Sequence, residues 1–310
     1  MIRPFDLRDL PTLRRYHGQG LCLDSTLLAT RGQVLIQGVL LSYLSPATGI
    51  FTWMCFENRD EHPLMGQITH SADSPFARIA FLAPESALES PQIQELLEGL
   101  VQQAGMRGAF NLLAEIDERS VAFEALRKAG FSIYARQRIW RLLDNAHQPD
   151  TEIYWKTAES QDTFAVQSLC NNVVPGLVQQ IEPHSTDQLH GLVCYKNGTL
   201  IGYIYLKYGH RGIWAQPIIH PDVENIDIHL NEMIRSIPDR RSRPLYICVR
   251  SYQSWLESAL GDLGAQSSPL QAVMVKRLAI HYKAARSFAL PKLKVQPEAS
   301  APVAQSKRNS

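Results

Sequence analysis

Polar side chains gather near the ends of two strand-like runs of the sequence, where they could perform acid–base chemistry. Glu115 and Asp117 end the first run, and Arg250, Tyr252 and Gln253 follow the second. Carboxyl and phenol groups can exchange protons with a bound molecule, and a guanidinium or an amide can orient it. Solvated loop ends carry the same residue types, so these five residues are candidates for a catalytic site and carry no assigned role.

Other chemistry-bearing motifs are absent from the sequence. It contains no GxSxG, HExxH or GxxxxGK[ST] pattern, and His184 and His190 have no adjacent metal-ligand partner. The five cysteines stand singly and are odd in number, which fits neither a disulfide framework nor a zinc site. The sequence therefore predicts no metal site and favours a reducing, cytoplasmic setting.

Composition indicates a folded chain of more than one domain. The 310 residues are 45% apolar and 20% charged, and 31 basic residues balance 30 acidic ones. Such a balance offers no overall field for nucleic acid or an acidic bilayer, so neither is favoured as a partner. The longest apolar stretch, residues 34–44, contains Gln37 and Ser42 and is too short to span a membrane.

A polar segment, Asp144 to Asp150, separates two well-patterned regions of similar length. We therefore expect an N-terminal domain at 1–143, a linker at 144–151 and a C-terminal domain at 152–283. Residues 284–310 are rich in Pro, Ala, Ser and Lys and lack a core pattern, which predicts a disordered tail.

The first half reads as three strands, a helix, a strand, a helix and a final strand. Short apolar runs bounded by turn-formers mark the strands, and apolar residues with a 3.6-residue period mark the helices. Ser90 and Pro91 predict the start of the first of these helices, as N-cap and first helical residue. The predicted strands are Thr52 to Phe56, Leu64 to Thr69, Ala77 to Leu82, Phe110 to Ile116 and Ile133 to Leu142.

The second half repeats this order at a fixed spacing. Adding 134 to the residue number carries the helix stripe and its following glycine, Val121 to Gly130, onto Trp255 to Gly264. The same offset carries Leu112 to Ala114, one strand earlier, onto Tyr246 to Cys248. One offset that spans a strand, a helix and its C-terminal glycine favours an internal duplication over chance periodicity.

These segments resemble a known family. The opening IRPFDLRDLPTLRR and the segment DERSVAFEALRKAGFSIYARQRIWRL look like the first and last parts of a GNAT domain, the fold of acyl-CoA N-acyltransferases. The resemblance covers most of the first half and extends to residues 152–280. It implies an α/β fold of two GNAT-like domains in tandem, each a mostly antiparallel twisted sheet flanked by helices.

The resemblance also implies acyl-CoA as cofactor, bound through a glycine-containing loop that cradles its pyrophosphate at a helix N-terminus. The corresponding stretches here, Ala83 to Ser90 and His220 to Asp227, contain no glycine and carry several carboxylates. Glycine matters because a Cβ keeps the backbone away from the phosphates. Coenzyme A is therefore expected to bind weakly, differently or not at all.

The family's other requirement is a proton donor for the leaving thiolate, commonly a Tyr four residues before the glycine of a Gly-Phe pair. Leu126 and Leu260 stand there, and both read as core residues. The five candidates named first and Arg119 could substitute, with Gln253 where the family often carries Asn. The implied cofactor-binding backbone lies in the splayed strands at Phe81, Leu82, Ala83, Ile218, Ile219 and His220.

Two functions from different classes follow. The first is transfer of an acyl group from acyl-CoA to an amine on a small molecule or protein. The second is a catalytically silent tandem domain that keeps its cleft to bind a metabolite or a protein. A third hypothesis is an aminoacyl-tRNA-dependent transferase with a local basic face at Arg235, Arg240, Arg241 and Arg243, and the balanced charge counts against it. The sequence leaves the acceptor and the oligomeric state open.

Overall fold

The computed structural model describes residues 1–32, 49–56, 63–143, 153–183 and 189–278. These residues belong to one compact unit, Met1–Ala279. The first half, in chain order, contains β1 (Ile2–Pro4), α1 (Leu10–Arg15), β2 (Leu21–Cys22), α2 (Ser25–Arg31), β3 (Ile50–Cys55), β4 (Leu64–Thr69), β5 (Phe76–Ala83), α3 (Gln92–Met106), β6 (Asn111–Asp117), α4 (Val121–Lys128) and β7 (Ser132–Leu142).

The second half follows the same plan. It contains β8 (Trp155–Thr157), α5 (Thr163–Val173), α6 (Gly176–Ile181), β9 (Gly191–Lys196), β10 (Thr199–Tyr208), β11 (Ile213–Ile219), α7 (Ile226–Ser236), β12 (Leu245–Arg250), α8 (Leu256–Asp262), β13 (Gln266–Ser267) and β14 (Gln271–Arg277). The strands and helices predicted from the sequence are all found, with ends that differ by one or two residues.

One continuous sheet joins the two halves. Its strand order in the described residues is β1-β3-β4-β5-β6-β14-β7-β12-β11-β10-β9-β8, with β2 beside β5 and β13 beside β7. The pairs β5–β6 and β11–β12 are parallel and the other pairs are antiparallel. The mixed, mostly antiparallel sheet expected from the resemblance is confirmed.

The halves exchange their last strands. β14, from the second half, lies between β6 and β7, and β7, from the first half, pairs with β12. Gln137 and Gln271, which are 134 residues apart, face each other in the β7–β14 pair, and their side chains are hydrogen bonded at 3.0 Å. Apart from the exchange, each half has the same strand order, as the predicted repeat requires.

Each half begins with the same turn, which the 134-residue offset does not reveal. Asp6 and Glu159 each precede a short 3₁₀ turn, and Asp9 and Asp162 close a reciprocal capping box with them. Both closing carboxylates are buried. This repeated start supports the internal duplication independently of the later helices.

The predicted helix stripes form the cores. Ile93, Leu96, Leu97 and Leu100 of α3 pack in one cluster with Leu126 of α4. Met233 and Ile234 of α7 pack with Leu256 and Leu260 of α8 in a second cluster. Leu126 and Leu260 are fully buried, so their interpretation as core residues is confirmed. Burying a side chain of this size stabilises the fold by about 1.5–3 kcal/mol.

One predicted boundary is wrong. Helix α3 begins at Gln92, so Pro91 is its N-cap rather than its first residue, and no side chain caps it. The Ser90 hydroxyl donates instead to the Ala87 carbonyl, because a short 3₁₀ turn precedes the helix. By contrast, Asn197 and Gly198 form the predicted hairpin turn, with φ of 52° and 77°.

Several predictions concern residues outside the described ranges. The linker at 144–151, the tail at 284–310 and His184 lie there. The division into domains at 1–143 and 152–283 stays a prediction. No helix in the described part of the chain is long and apolar enough to cross a bilayer.

Candidate functional site

The first half has a cleft where β5 and β6 diverge. The two strands pair only over Phe76–Arg78 and Asn111–Leu113. Beyond that point the chain's own segment Leu21–Leu23 lies between them. Leu21 and Cys22 pair antiparallel with Leu82 and Phe81 of β5.

The segment Leu21–Leu23 bridges both walls of this first cleft. The Leu23 N–H donates to the Ala80 carbonyl of β5 at 3.0 Å, and the Glu115 N–H of β6 donates to the Leu23 carbonyl at 2.9 Å. The Leu23 side chain is buried in the core beneath α3 and α4. A segment of main chain therefore fills the first cleft as an added strand.

The second half has an equivalent cleft between β11 and β12, and one side chain spans it. The strands pair over Ile213–Ala215 and Leu245–Ile247 and then separate. The Gln253 side chain accepts a hydrogen bond from the Ile219 N–H at 2.9 Å and donates one to the Pro217 carbonyl at 2.7 Å. Gln253 is only 1% exposed, so these bonds are protected from water.

The length of one connection explains the difference. Between α1 and α2 the chain has nine residues, from Tyr16 to Asp24, which reach into the first cleft. Between α5 and α6 it has only Val174 and Pro175. Because two residues cannot reach the second cleft, the buried backbone groups there take a side-chain partner instead.

The helix N-termini beside the two clefts contain no glycine in the segments that precede them. Pro84 and a short 3₁₀ turn at Glu85–Ala87 precede α3. Asn225, in the left-handed region with φ of 53°, precedes α7, and its side chain makes no capping bond. The carboxylates of Glu85, Glu89 and Asp222 are exposed beside these helix starts.

A partly buried ion cluster connects the mouths of the two clefts. The Glu182 carboxylate, just after α6, accepts hydrogen bonds from Arg78 of β5, Arg250 of β12 and the Tyr134 hydroxyl of β7. Arg78 also pairs with Glu115 at 2.8 Å. Burial alone would raise the pKa of Glu182, but the charges of Arg250 and Arg78 outweigh it and lower that pKa to about 2.

Two members of this region keep polar atoms without partners. The Arg250 Nε and Nη1 atoms and the Tyr252 hydroxyl are buried and make no hydrogen bond in the described residues. Burial raises the pKa of Tyr252, which therefore stays protonated at neutral pH. Such orphaned donors are costly unless water or a ligand meets them.

A separate cavity lies on the α2 face of the sheet. It has a volume of about 900 Å³ and is lined by residues of α2, β7, β12 and β13 together with the loops beside them. Arg211 and Pro244, which precede β11 and β12, contribute to it. The cavity therefore lies at the amino ends of these strands, opposite the splay that Gln253 spans.

The structure brings only some of the predicted catalytic residues together. Glu115 and Arg250 join the ion cluster through Arg78 and Glu182, whereas Gln253 bridges the second cleft. Asp117 pairs instead with Arg119 near the surface. Sequence reasoning missed Arg78 and Glu182, although Arg78, a lone charge inside the apolar run Ala77 to Leu82, was a usable signal.

The six predicted cofactor-binding positions lie on the strands that border the clefts. Phe81 and Leu82 pair with β2, Ala83 pairs with Met65 of β4, and the Ile219 N–H is bonded to Gln253. Ile218 is buried and pairs with β10, and the His220 N–H donates to the Ile201 carbonyl. Their role in cofactor binding stays a prediction.

Comparisons with known proteins find similarity at the level of structure. No family model matches the sequence, and no curated protein matches it. A GCN5-related N-acetyltransferase from Sphaerobacter thermophilus is similar with a TM-score of 0.56 and 12% identity, covering 89% of this chain and 95% of that one. A tandem GNAT protein from the clavulanic acid biosynthesis pathway has a TM-score of 0.51 and 13% identity, covering 89% and 98%.

At such low identities the likeness shows the fold. The chain has the GNAT fold, and its likeness to the tandem protein extends over most of both halves. The resemblance stated from the sequence is confirmed at this level. A shared fold does not carry a reaction with it, because function depends on the groups placed in the site.

Proposed function

We propose that this chain is a catalytically silent tandem GNAT protein that binds a small metabolite. One observation carries the proposal: the strand edges that border both clefts already have partners from the chain itself. Leu21–Leu23 occupy the first edge, and the Gln253 side chain occupies the second.

An acyl thioester bound in the family's manner would need a free backbone N–H on the splayed strand to stabilise its tetrahedral intermediate. In the second half the Ile219 N–H is bonded to Gln253, and Pro217 has no N–H to offer. Displacing the Gln253 side chain would leave buried groups to be satisfied again, at about 1–3 kcal/mol for each one left unpaired. Displacing Leu21–Leu23 would also uncover the buried Leu23 side chain.

The phosphate end of coenzyme A meets the wrong charge in both halves. Glu85 and Glu89 lie before α3, and Asp222 and Glu224 lie before α7. A carboxylate 4 Å from a phosphate charge costs about 1 kcal/mol in bulk water and about 4 kcal/mol at an effective dielectric of 20. With no glycine to bring backbone N–H groups close, these stretches lack the family's usual means of offsetting that repulsion.

A second candidate function is N-acyl transfer from acyl-CoA to an amine in the second half. The observation that favours it is the set of donors on Arg250 and Tyr252, at the carboxyl end of β12, that have no partner among the described residues. In that reading Tyr252 would protonate the leaving thiolate, since burial keeps its hydroxyl protonated. Arg250 would orient the acceptor.

Calorimetry with acetyl-CoA on the whole chain separates the two candidates. For a silent protein we expect a Kd no tighter than millimolar, about 4 kcal/mol of affinity. The double variant Glu85→Gln, Glu89→Gln should improve any residual binding if charge is the cause, and added salt should improve it modestly by screening.

Micromolar binding to the unmodified chain would contradict the silent assignment. The second candidate would then predict acyl transfer to an amine, with kcat lowered about 100-fold or more by Tyr252→Phe. Tyr154→Phe, at an exposed tyrosine before β8 that belongs to neither cleft, is the matched control and should leave that rate unchanged.

A further inference from the structure

We propose that the 900 Å³ cavity between α2 and the exchanged strands binds a small organic anion with an aromatic or apolar body. This inference rests on the proposed function and deepens it, because it names the site and the ligand class of a protein whose acyl-CoA clefts are filled. The volume is at the upper end of the 300–1,000 Å³ typical of small-molecule sites.

The charge of the lining selects an anion. Arg141, Arg211 and His17 contribute to the cavity wall, and no described lining residue is an Asp or a Glu. Within the described part of the chain the side chains of Arg141 and Arg211 form no ion pair. Two guanidinium groups that have no carboxylate partner among the described residues favour a carboxylate, sulfonate or phosphate in the cavity.

The inner wall supplies apolar and aromatic contact. Ile139, Tyr246 and Leu28 line it. The Tyr246 ring lies against Gly212, where an added Cβ would come within 2.6 Å of the ring and 2.8 Å of the Ala29 carbonyl. A ring held this closely is a pre-formed surface for an aromatic or aliphatic ligand body, which lowers the ordering cost of binding.

A neutral donor faces the same space. The Gln271 side-chain oxygen accepts hydrogen bonds from the Ser25 hydroxyl and the Gln137 amide, both at 3.0 Å. Its amide nitrogen makes no hydrogen bond within the described ranges. Because Gln271 lines the cavity, this nitrogen can donate to an oxygen of the ligand and fix its orientation.

The walls of the cavity come from both halves and are anchored to each other. The Arg211 N–H donates to the Thr30 carbonyl at the end of α2, at 3.1 Å. Ala29 of α2 packs against Trp214 of β11 and Cys248 of β12. The backbone of Arg211 and the aromatic wall are thus held by packed structure from both halves.

The test uses 1-anilinonaphthalene-8-sulfonate, an aromatic anion whose fluorescence rises in apolar sites, on the whole chain. We expect saturable binding at one site, weakened about fivefold by Arg141→Gln or Arg211→Gln and further by the double variant, because each removes a charge-assisted contact. N-phenyl-1-naphthylamine, which lacks the sulfonate, should bind more weakly and be insensitive to both substitutions.

The matched control is Arg127→Gln, an exposed arginine of α4 outside the cavity, which should leave binding unchanged. Thermal melting of each variant checks that it folds. Binding of the anionic probe that is not saturable, or that is unchanged in the double variant, would overturn the inference. Acetyl-CoA titrated into the probe complex separates the two proposals, since micromolar acetyl-CoA binding that leaves the probe in place contradicts only the silent assignment.

Discussion

The two clefts of this molecule have the same strand geometry and are filled by different means. In the first, Leu21–Leu23 add a short strand beside β5. In the second, the Gln253 side chain bonds the corresponding edge of β11. In each half a carbonyl of the splayed strand, Ala80 or Pro217, accepts a hydrogen bond from the filling group.

The comparison shows that both clefts meet the same requirement, the pairing of buried backbone groups, with different residues. A splayed pair of strands leaves buried N–H and C=O groups, and these must find partners when no ligand occupies the cleft. In the first half a nine-residue connection lets the main chain pair with these groups. In the second half the connection has two residues, so a side chain pairs with them instead.

Helices α6 and α2 each pack on the opposite half of the molecule, and these two contacts also differ from each other. Ile181 of α6 packs against Leu113 and Val275, and Glu182 beside it closes an ion cluster. Ala29 of α2 packs on the second half, and an open cavity lies beside it. At the first contact the ion pairs of Glu182 link the elements, and at the second a cavity remains that has room for a ligand.

The largest effect should come from breaking the link between the clefts with Glu182→Gln. This substitution leaves the buried Arg250 and the partly buried Arg78 without their shared counter-charge, so we expect a loss of about 3 kcal/mol or more in the free energy of unfolding, measured by urea denaturation. The control Glu124→Gln removes an exposed ion pair with Arg127 and should cost less than about 0.5 kcal/mol.

Glu182→Gln should also change how the free energy of unfolding depends on pH in acid. Since the folded pKa of Glu182 is lowered from 4.5 to about 2, its contribution is fully present above pH 4.5. It is lost as the pH falls toward 2, and amounts to on the order of 3 kcal/mol. The chain should therefore lose stability over this window, and Glu182→Gln should show a flatter profile there. Equal slopes in the two proteins would show that the cluster does not hold Glu182 ionised.

The next effect tests whether the main-chain filling belongs to the core. Leu23→Ala removes a side chain that is 1% exposed, and we expect a loss of about 3 kcal/mol in the free energy of unfolding. The same substitution at Leu7, which is 44% exposed, should cost less than about 1 kcal/mol. A small effect at Leu23 would mean that the segment is a removable cover, and coenzyme binding in the first half would need to be reconsidered.

The smallest effect tests the side-chain filling. Gln253→Ala removes the partners of the Ile219 N–H and the Pro217 carbonyl, so we expect a loss of about 2 kcal/mol and faster hydrogen exchange at the Ile219 amide. Arg119 occupies the equivalent position in the first half by the 134-residue offset and is exposed, so Arg119→Ala should change neither quantity. Unchanged exchange at Ile219 would show that Gln253 is not needed to satisfy the second cleft.

Much of the fold could be predicted from local pattern. The apolar stripes of α3 and α4, the glycines at Gly130 and Gly264 and the Asn197-Gly198 turn are each encoded within a few residues, because helix period and turn conformation are local properties. The repeat follows from the same local signals, found twice at one spacing. The exchange of β7 and β14 could not be predicted this way, since alternation tells which face of a strand is buried but not which strand lies beside it.

The sequence by itself determined the elements, their order in each half and the absence of a glycine cradle at both helix starts. Only the tertiary structure decided that the clefts are filled and that a cavity opens elsewhere. The reason is physical: buried polar groups are satisfied by whatever lies nearest in space, and Glu182 meets Arg78 across 104 residues of chain. No spacing in the sequence predicts this ion pair, because it depends on how the two halves share one sheet.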